Sequence, residues 1–257
     1  VKGADILADI RGLSKAFRGS GGPVLALDEI NLAIAQQEFV CAVGPSGCGK
    51  TTLMRLIAGI ERPTKGEILL NGRQLNGPSL QTGVVFQQPN LLPWRSVIDN
   101  VLLPIDVAKL KPRAKYKEQA LQLLKMVGVA RPDELPSNLS GGMQQRVAIC
   151  RALIQDPDVL LMDEPFGALD AMTREFMNLE LLRIWDTYKK TVFLITHSIQ
   201  EAVFLADRVI VLSAHPGRIV EEIVIDAPRP RTLAMLEHEL APHVGRIRDL
   251  LGEWEHA

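Results

Sequence analysis

The sequence predicts an α/β fold: a largely parallel sheet with an N-terminal antiparallel β part and a helical subdomain inserted between two portions of the sheet domain. Three observations predict it. First, short apolar runs rich in β-branched and large aliphatic residues occur at Phe39–Val43, Gly83–Phe86, Val159–Met162, Val192–Thr196 and Val209–Leu212, the pattern of strands buried on both faces. Helix-like runs alternate with the later ones, at about 171–188 and 199–206. Second, Ile30, Leu32 and Ile34 alternate with polar or small residues, which predicts an antiparallel strand with one wetter face. Third, the pattern breaks between 88 and 156. Pro89, Pro93, Pro104 and Pro112 punctuate it, Lys117–Val127 is amphipathic, and a second helix runs from Ser140 to just before Asp156-Pro157. Beyond Pro228 and Pro230, Leu233, Leu236, Leu240, Val244, Ile247 and Leu251 return to helical spacing.

Composition narrows the class. The 257 residues carry 29 Lys and Arg against 30 Asp and Glu, so a generic nucleic-acid binder, which needs excess basic charge, is excluded. No run approaches the roughly 18 to 20 apolar residues that span a bilayer. The opening stretch carries Asp5, Asp9 and Arg11 and is not expected to be a signal peptide. Cys41, Cys48 and Cys150 are too few for a disulfide framework, which points to a reducing compartment.

Gly44-Pro45-Ser46-Gly47-Cys48-Gly49-Lys50-Thr51 fits G-x-x-x-x-G-K-[ST]. Its context is right: the 39–43 strand leads in, and a helix with Leu53, Leu56, Ile57 and Ile60 on one face leads out. Glycines let backbone N–H groups converge on phosphate oxygens, and the helix N-terminus adds partial positive charge. Lys50 is placed to reach the β and γ phosphates of a bound nucleotide and Thr51 to ligate Mg²⁺, as expected of a P-loop NTPase (RecA-like) core. A thiol at Cys48, close to Lys50 and the helix N-terminus, is expected to have a lowered pKa and to react readily unless nucleotide shields it.

Val159–Met162 ends in Asp163 and Glu164, carboxylates at the sheet edge where nucleotides bind in parallel α/β folds. Asp163 can hold Mg²⁺ and Glu164 can polarise the attacking water. Leu139-Ser140-Gly141-Gly142-Met143-Gln144-Gln145-Arg146 opens a helix with a good N-cap and two glycines, a second anion-binding helix end.

In their order, GPSGCGKT at 44–51, Gln87, LSGGMQQR at 139–146, LLMDEP at 160–165, Ala168-Leu169-Asp170 and Thr196-His197 resemble the ATP-binding subunit of an ATP-binding-cassette (ABC) transporter, over nearly the whole chain. The resemblance implies the ABC ATPase fold, with 1–87 and 157–213 as the nucleotide-binding core, 88–156 as the helical subdomain bearing the signature, and 214–257 as a C-terminal helical extension. It implies an ATPase that works as a head-to-tail dimer, the Ser140 helix end of one copy closing over ATP held by the phosphate loop of the other. ATP would be bound by Phe17, the loop Gly44, Pro45, Ser46, Gly47, Cys48, Gly49, Lys50, Thr51 and Thr52, and by Ser140, Gly141, Gly142 and Asp170, the last at the dimer seam. Glu164 would be the general base, His197 would contact the γ-phosphate, Gln87 would sense the metal, Lys50 would act on the phosphates, and Thr51, Gln87 and Asp163 would hold Mg²⁺. Three positions depart from the family: Met143 stands where Gln is usual, Phe17 where an aromatic, often Tyr, stacks on adenine, and Ser198 where Asp is common.

Gln87-Gln88-Pro89-Asn90-Leu91-Leu92-Pro93-Trp94, Pro165–Ala171 and Ala214-His215-Pro216-Gly217-Arg218-Ile219 resemble the nitrate/sulfonate/taurine branch of bacterial importers. Leu91, Leu92 and Trp94 offer an apolar surface suited to a short helix of a polytopic membrane permease. The resemblance places the chain peripherally on the cytoplasmic face of the inner membrane, serving a substrate-binding protein indirectly and a small anion such as nitrate, a sulfonate, taurine or bicarbonate. The competing reading is a soluble ABC-type ATPase of translation or DNA repair.

Overall fold

The computed structural model describes residues 5–19 and 22–255. In chain order the elements are β1 Ile6–Gly19, β2 Gly22–Ala35, β3 Phe39–Val43, α1 Lys50–Ile57, β4 Lys65–Leu70, β5 Arg73–Gln74, β6 Thr82–Val85, α2 Val97–Val101, α3 Leu103–Val107, α4 Arg113–Met126, α5 Gly141–Leu153, β7 Val159–Asp163, α6 Ala171–Tyr188, β8 Thr191–Ile195, α7 Ile199–Leu205, β9 Arg208–Leu212, β10 Ile219–Val224 and α8 Ala241–Glu255. They form two compact units, one from the described residues up to Ser79 together with those from Lys189 onward, the other Leu80–Tyr188.

In the first unit an antiparallel sheet runs β2-β1-β4-β5. Ile30, Leu32 and Ile34 of β2 are buried while Asn31 is exposed, the alternation the sequence predicts. The other sheet portion centres on β3, every residue of which is buried. It pairs in parallel with β8, Phe39 opposite Val192 and Ala42 opposite Ile195, and with β9, Val40 opposite Arg208 and Val43 opposite Val211. A strand flanked on both edges and covered on both faces strongly favours apolar side chains, and FVCAV carries no charged residue. α1 packs Leu53, Met54, Leu56 and Ile57 inward. Each such side chain contributes about 1.5–3 kcal/mol when fully buried, so α1 is held by packing and not by its eight-residue length.

Arg208 locks three strands together. Its side chain is 7% exposed and grips Glu38 with both ends of the guanidinium, Nε to Oε1 at 2.8 Å and Nη2 to Oε2 at 3.0 Å. It also pairs with Glu222 of β10 and donates to the Ala33 carbonyl of β2. The stretch from 214, expected to be a helical extension, therefore begins as a strand. β10 pairs antiparallel with β9, Val224 opposite Arg208, because Ile219-Val220-Glu221-Glu222-Ile223-Val224 is β-branched and buries Ile223. A 3₁₀ turn at Leu233–Glu237 and α8, which buries Val244, Ile247 and Leu250, supply the expected helical part.

In the second unit β6 and β7 pair in parallel, Thr82 opposite Val159 and Val85 opposite Met162. Gly83 is required there: a Cβ would stand 2.7 Å from the Ala152 carbonyl at the end of α5 and 3.0 Å from Pro157. α4 starts four residues before the expected Lys117, directly after Pro112, whose restricted backbone favours a boundary.

Candidate nucleotide site

The phosphate loop joins β3 to α1. Gly49, the N-cap of α1, lies at φ 99° and has no side chain to bond the helix end, and the first turn holds no acid. Such a helix end presents amides and partial positive charge to an anion. Gly49 cannot be replaced: besides its left-handed backbone, a Cβ would meet Leu27 at 2.7 Å and the Ala26 carbonyl at 2.9 Å. Lys50 is nearly buried, and its ammonium donates to the carbonyls of Gly44 at 2.7 Å and Pro45 at 2.9 Å. The charge is thus held within the loop itself.

Cys48 overturns the expectation of a reactive thiol. It is fully buried, with Sγ turned toward Gly44, where a Cβ would meet it at 2.8 Å, and with Lys50 Nζ 3.7 Å away. Burial pushes its pKa up, only partly offset by Lys50. Neighbourhood in sequence predicted the charge correctly but not the direction of the side chain. The motif's variable position faces inward, where desolvation exceeds the cation's attraction. Cys41 and Cys150 are buried as expected, and burial drives both thiols upward.

Behind the loop lies a turn that sequence reasoning singled out only as a branch motif. Gly217 bridges to Leu27, its N–H donating to Ala26 and its carbonyl accepting from Asp28, both at 3.0 Å. Ser213 Oγ donates to Pro216 O and accepts from Arg218 N, each at 3.0 Å, and Arg218 Nε pairs with Asp28 at 3.0 Å. His215 borders Gly47, where a Cβ would stand 3.2 Å from the imidazole. Phe17, on β1, keeps 40% of its surface exposed. His197 is exposed two residues beyond the end of β8. Ser198 N-caps α7, accepting from Glu201 N at 3.3 Å, a task that Asp performs equally well.

The second unit gathers another set. Asp163 ends β7, half-buried, and Glu164 follows at φ 43°. A left-handed residue ahead of Pro165 is strained, and such strain concentrates at functional sites. The Gly167 N–H donating to the Glu164 carbonyl at 3.1 Å and buried Phe166 hold the turn. Gln87 Nε2 donates to Glu164 Oε2 at 3.4 Å, so the structure brings these two predicted residues together. Ser140 caps α5, accepting from Met143 N at 3.3 Å, with Gly141 exposed beside it. A Cβ on Gly142 would meet Thr173 at 3.3 Å, which sets the signature helix end against the Asp170 turn. Asp170 accepts from Thr173 N at 3.0 Å and Thr173 Oγ1 at 2.7 Å, and these bonds lower its pKa.

Two residues that sequence reasoning passed over organise this region. Gln145, 2% exposed, donates to the Phe86 carbonyl at 3.1 Å, one residue before Gln87. Arg151 donates to the carbonyls of Asn90 at 2.8 Å and Pro89 at 2.6 Å, and burial lowers its pKa. The only sequence signal was a polar residue on the buried face of α5. Fully buried Asn100 likewise shapes the next turn, accepting from Leu92 N at 2.7 Å and donating to Leu92, Arg95 and Ser96 carbonyls at 3.0–3.1 Å. That turn leaves Leu91 and Leu92 half-buried and Trp94 73% exposed. Among the described residues no helix is long and apolar enough to cross a membrane.

A sheet-to-helix phosphate loop, a strand-end acid pair beside Gln87, and a second capped glycine-led helix define a nucleotide-hydrolysing cassette, and comparison with known proteins agrees. A family model described as ABC transporter matches residues 27–167. An uncharacterized ABC transporter ATP-binding protein of Methanocaldococcus jannaschii is 52% identical over 229 residues, 89% of this chain and 85% of that one. A taurine import ATP-binding protein of Rhizobium johnstonii is 51% identical over 213 residues, 81% of this chain and 80% of that one. The solved dimeric structure of an ATP-binding cassette in a post-hydrolysis state, bound to ADP and Pi, superposes with TM-score 0.75 at 32% identity, covering 86% of this chain and 100% of that one. The chain belongs to the ABC transporter family, as an ATP-binding, ATP-hydrolysing subunit. The branch resemblance also holds: import ATP-binding proteins for taurine, nitrate and aliphatic sulfonates align with it.

Proposed function

We propose that this chain powers an importer of a small anion of the nitrate, sulfonate, taurine or bicarbonate type, by ATP-driven closure of a head-to-tail dimer. The observation that carries the nucleotide-closure part of this reading is the uncapped, acid-free start of α1 with Lys50 held in its loop, in a chain that also carries a second glycine-led helix end at Ser140, while the importer and its anion are supported by the taurine, nitrate and sulfonate relatives. Two positive helix ends and an ammonium suit a triphosphate. In the dimer, the loop Gly44–Thr52 with Phe17 would hold ATP on one copy, while Ser140, Gly141, Gly142 and Asp170 of a second copy would cover it. In domain terms, 1–87 and 157–213 would be the nucleotide core and 88–156 the signature-bearing insertion.

By donor chemistry alone, Thr51 offers a hydroxyl, Asp163 a carboxylate and Gln87 an amide oxygen, the hard donors that Mg²⁺ prefers, so each would suit the ion. Bound there, it would neutralise phosphate charge. Glu164 would accept the water's proton, its strained turn fixing the carboxylate, and Gln87 Nε2 already meets that carboxylate. His197 would contact the γ-phosphate. Exposed Trp94, with Leu91 and Leu92, would receive a short permease helix, and that contact would hold the chain peripherally at the cytoplasmic membrane face. A substrate-binding protein would be served only through that permease.

Glu164→Gln tests the mechanism. It should retain ATP binding, slow hydrolysis about 10²-fold or more, and shift the protein toward an ATP-dependent dimer on gel filtration. Near-normal turnover would remove Glu164 from the role of base.

A further inference from the structure

Phe17 is held from one side by a fixed cation. Lys15 and Phe17 are alternate residues of β1 and so project to the same face of the strand. Lys15 Nζ stands 4.8 Å from the centroid of the Phe17 ring. The ammonium is anchored: it donates to Glu61 Oε2 at 2.9 Å and to the Arg62 carbonyl at 2.8 Å, and the Lys15 side chain is only 12% exposed. Two of its three N–H groups are therefore committed to oxygen, leaving one direction and the charge itself for the ring.

The anchor is the segment that leaves the phosphate-loop helix. Ile60 and Glu61 N–H groups both donate to the Arg55 carbonyl of α1, at 2.9 and 3.2 Å. The same segment is stitched to β1 on either side of Lys15, Thr64 N donating to Ser14 O at 2.8 Å and Ala16 N to Thr64 Oγ1 at 3.0 Å. A 40% exposed phenylalanine would ordinarily sample several rotamers, and this one carries no hydroxyl by which to be tethered. Attraction between the ammonium and the ring quadrupole supplies a tether instead. It also draws electron density toward Lys15, leaving the opposite face a poorer π-donor and a better partner for offset stacking by a base.

We propose that Lys15 is a positioning residue for base recognition. Its ammonium, fixed by Glu61 and Arg62, holds one face of the Phe17 ring so that the other face receives the purine. This rests on Phe17 being the adenine platform, and the test separates the two ideas.

Affinities for Mg-ATP and for Mg-tripolyphosphate, which has the phosphates but no base, would be measured by titration calorimetry at about 0.15 M salt. Lys15→Met should weaken ATP binding about two- to five-fold and leave tripolyphosphate binding unchanged. Lys15→Arg, which restores a cation over the ring, should recover wild-type ATP affinity. Lys15→Gln keeps a donor for Glu61 but no charge, and gives the same reading should Lys15→Met fail to fold. Equal weakening of both ligands would reduce Lys15 to a structural ion pair or a remote phosphate attractor and overturn the proposal. Unchanged or tighter ATP binding would overturn it too, the latter meaning that Lys15 competes with the base for the ring. Phe17→Ala should lose ATP affinity selectively over tripolyphosphate; if it does not, the platform itself is wrong, whatever Lys15 does.

Discussion

Replacing Gly217 by alanine tests whether the phosphate loop is held from behind by the turn at 213–218. Gly217 does not need a left-handed backbone, so the substitution acts through space alone. A Cβ built there would lie 2.0 Å from the Cys48 carbonyl oxygen and 3.1 Å from Leu27, whereas real Cβ contacts essentially never fall under 3.0 Å. Something must therefore move by at least 1.0 Å, the gap between 2.0 Å and the 3.0 Å limit. The turn is fixed by both Gly217 backbone bonds to β2 at 3.0 Å and by Ser213, so the phosphate loop has to yield. Forced overpacking costs about 1–3 kcal/mol, which for a chain of this length lowers Tm by roughly 2–4 °C per kcal/mol. Displacing the loop should also weaken ATP binding by about 10-fold or more, since its amides no longer converge on one anion. The control is Gly245→Ala in α8, where a Cβ would meet nothing within 4 Å. That change should stabilise the protein by about 0.5–1 kcal/mol, because glycine is a poor helix residue. Urea midpoints and calorimetric ATP affinities decide the matter. A Gly217→Ala variant that keeps ATP affinity within about twofold would show that the turn does not support the loop.

Two further outcomes follow from buried groups. Cys48 should resist N-ethylmaleimide in the native protein with or without Mg-ATP, and label only in urea, because its thiol is buried with a raised pKa; rapid native labelling blocked by ATP, read by mass spectrometry, would restore the reactive-thiol expectation. Arg208→Ala should cost about 3–5 kcal/mol in urea unfolding by stranding the Glu38 carboxylate, while the double change Glu38→Gln with Arg208→Met should recover much of it; a loss under about 1 kcal/mol for the single variant would mean the pair adds nothing.

Much of this protein is legible locally. The phosphate loop declares itself because the motif needs a buried strand before it and an amphipathic helix after it, and both periodicities lie within 20 residues of Gly44. Ile30, Leu32 and Ile34 announce their buried face by alternation alone, and Ser140 its cap by residue type. What the chain could not announce depends on residues far apart in sequence. Cys48 is fully buried with its backbone carbonyl packed against the distant Gly217, and no residue type within the octapeptide announces that burial. Gln145 and Arg151 look like ordinary polar residues of an amphipathic helix until the 86–90 backbone arrives to accept their hydrogen bonds. The left-handed turn at Glu164 runs against the preference that Pro165 imposes and survives only under surrounding packing. β10 exists because β9 offers it an edge and Arg208 offers Glu222 a partner. Periodicity and capping are properties of neighbouring residues, so the sequence determines them directly. Side-chain direction, desolvation and the satisfaction of backbone carbonyls are set by which distant segment comes to lie alongside, and only the tertiary structure decides that.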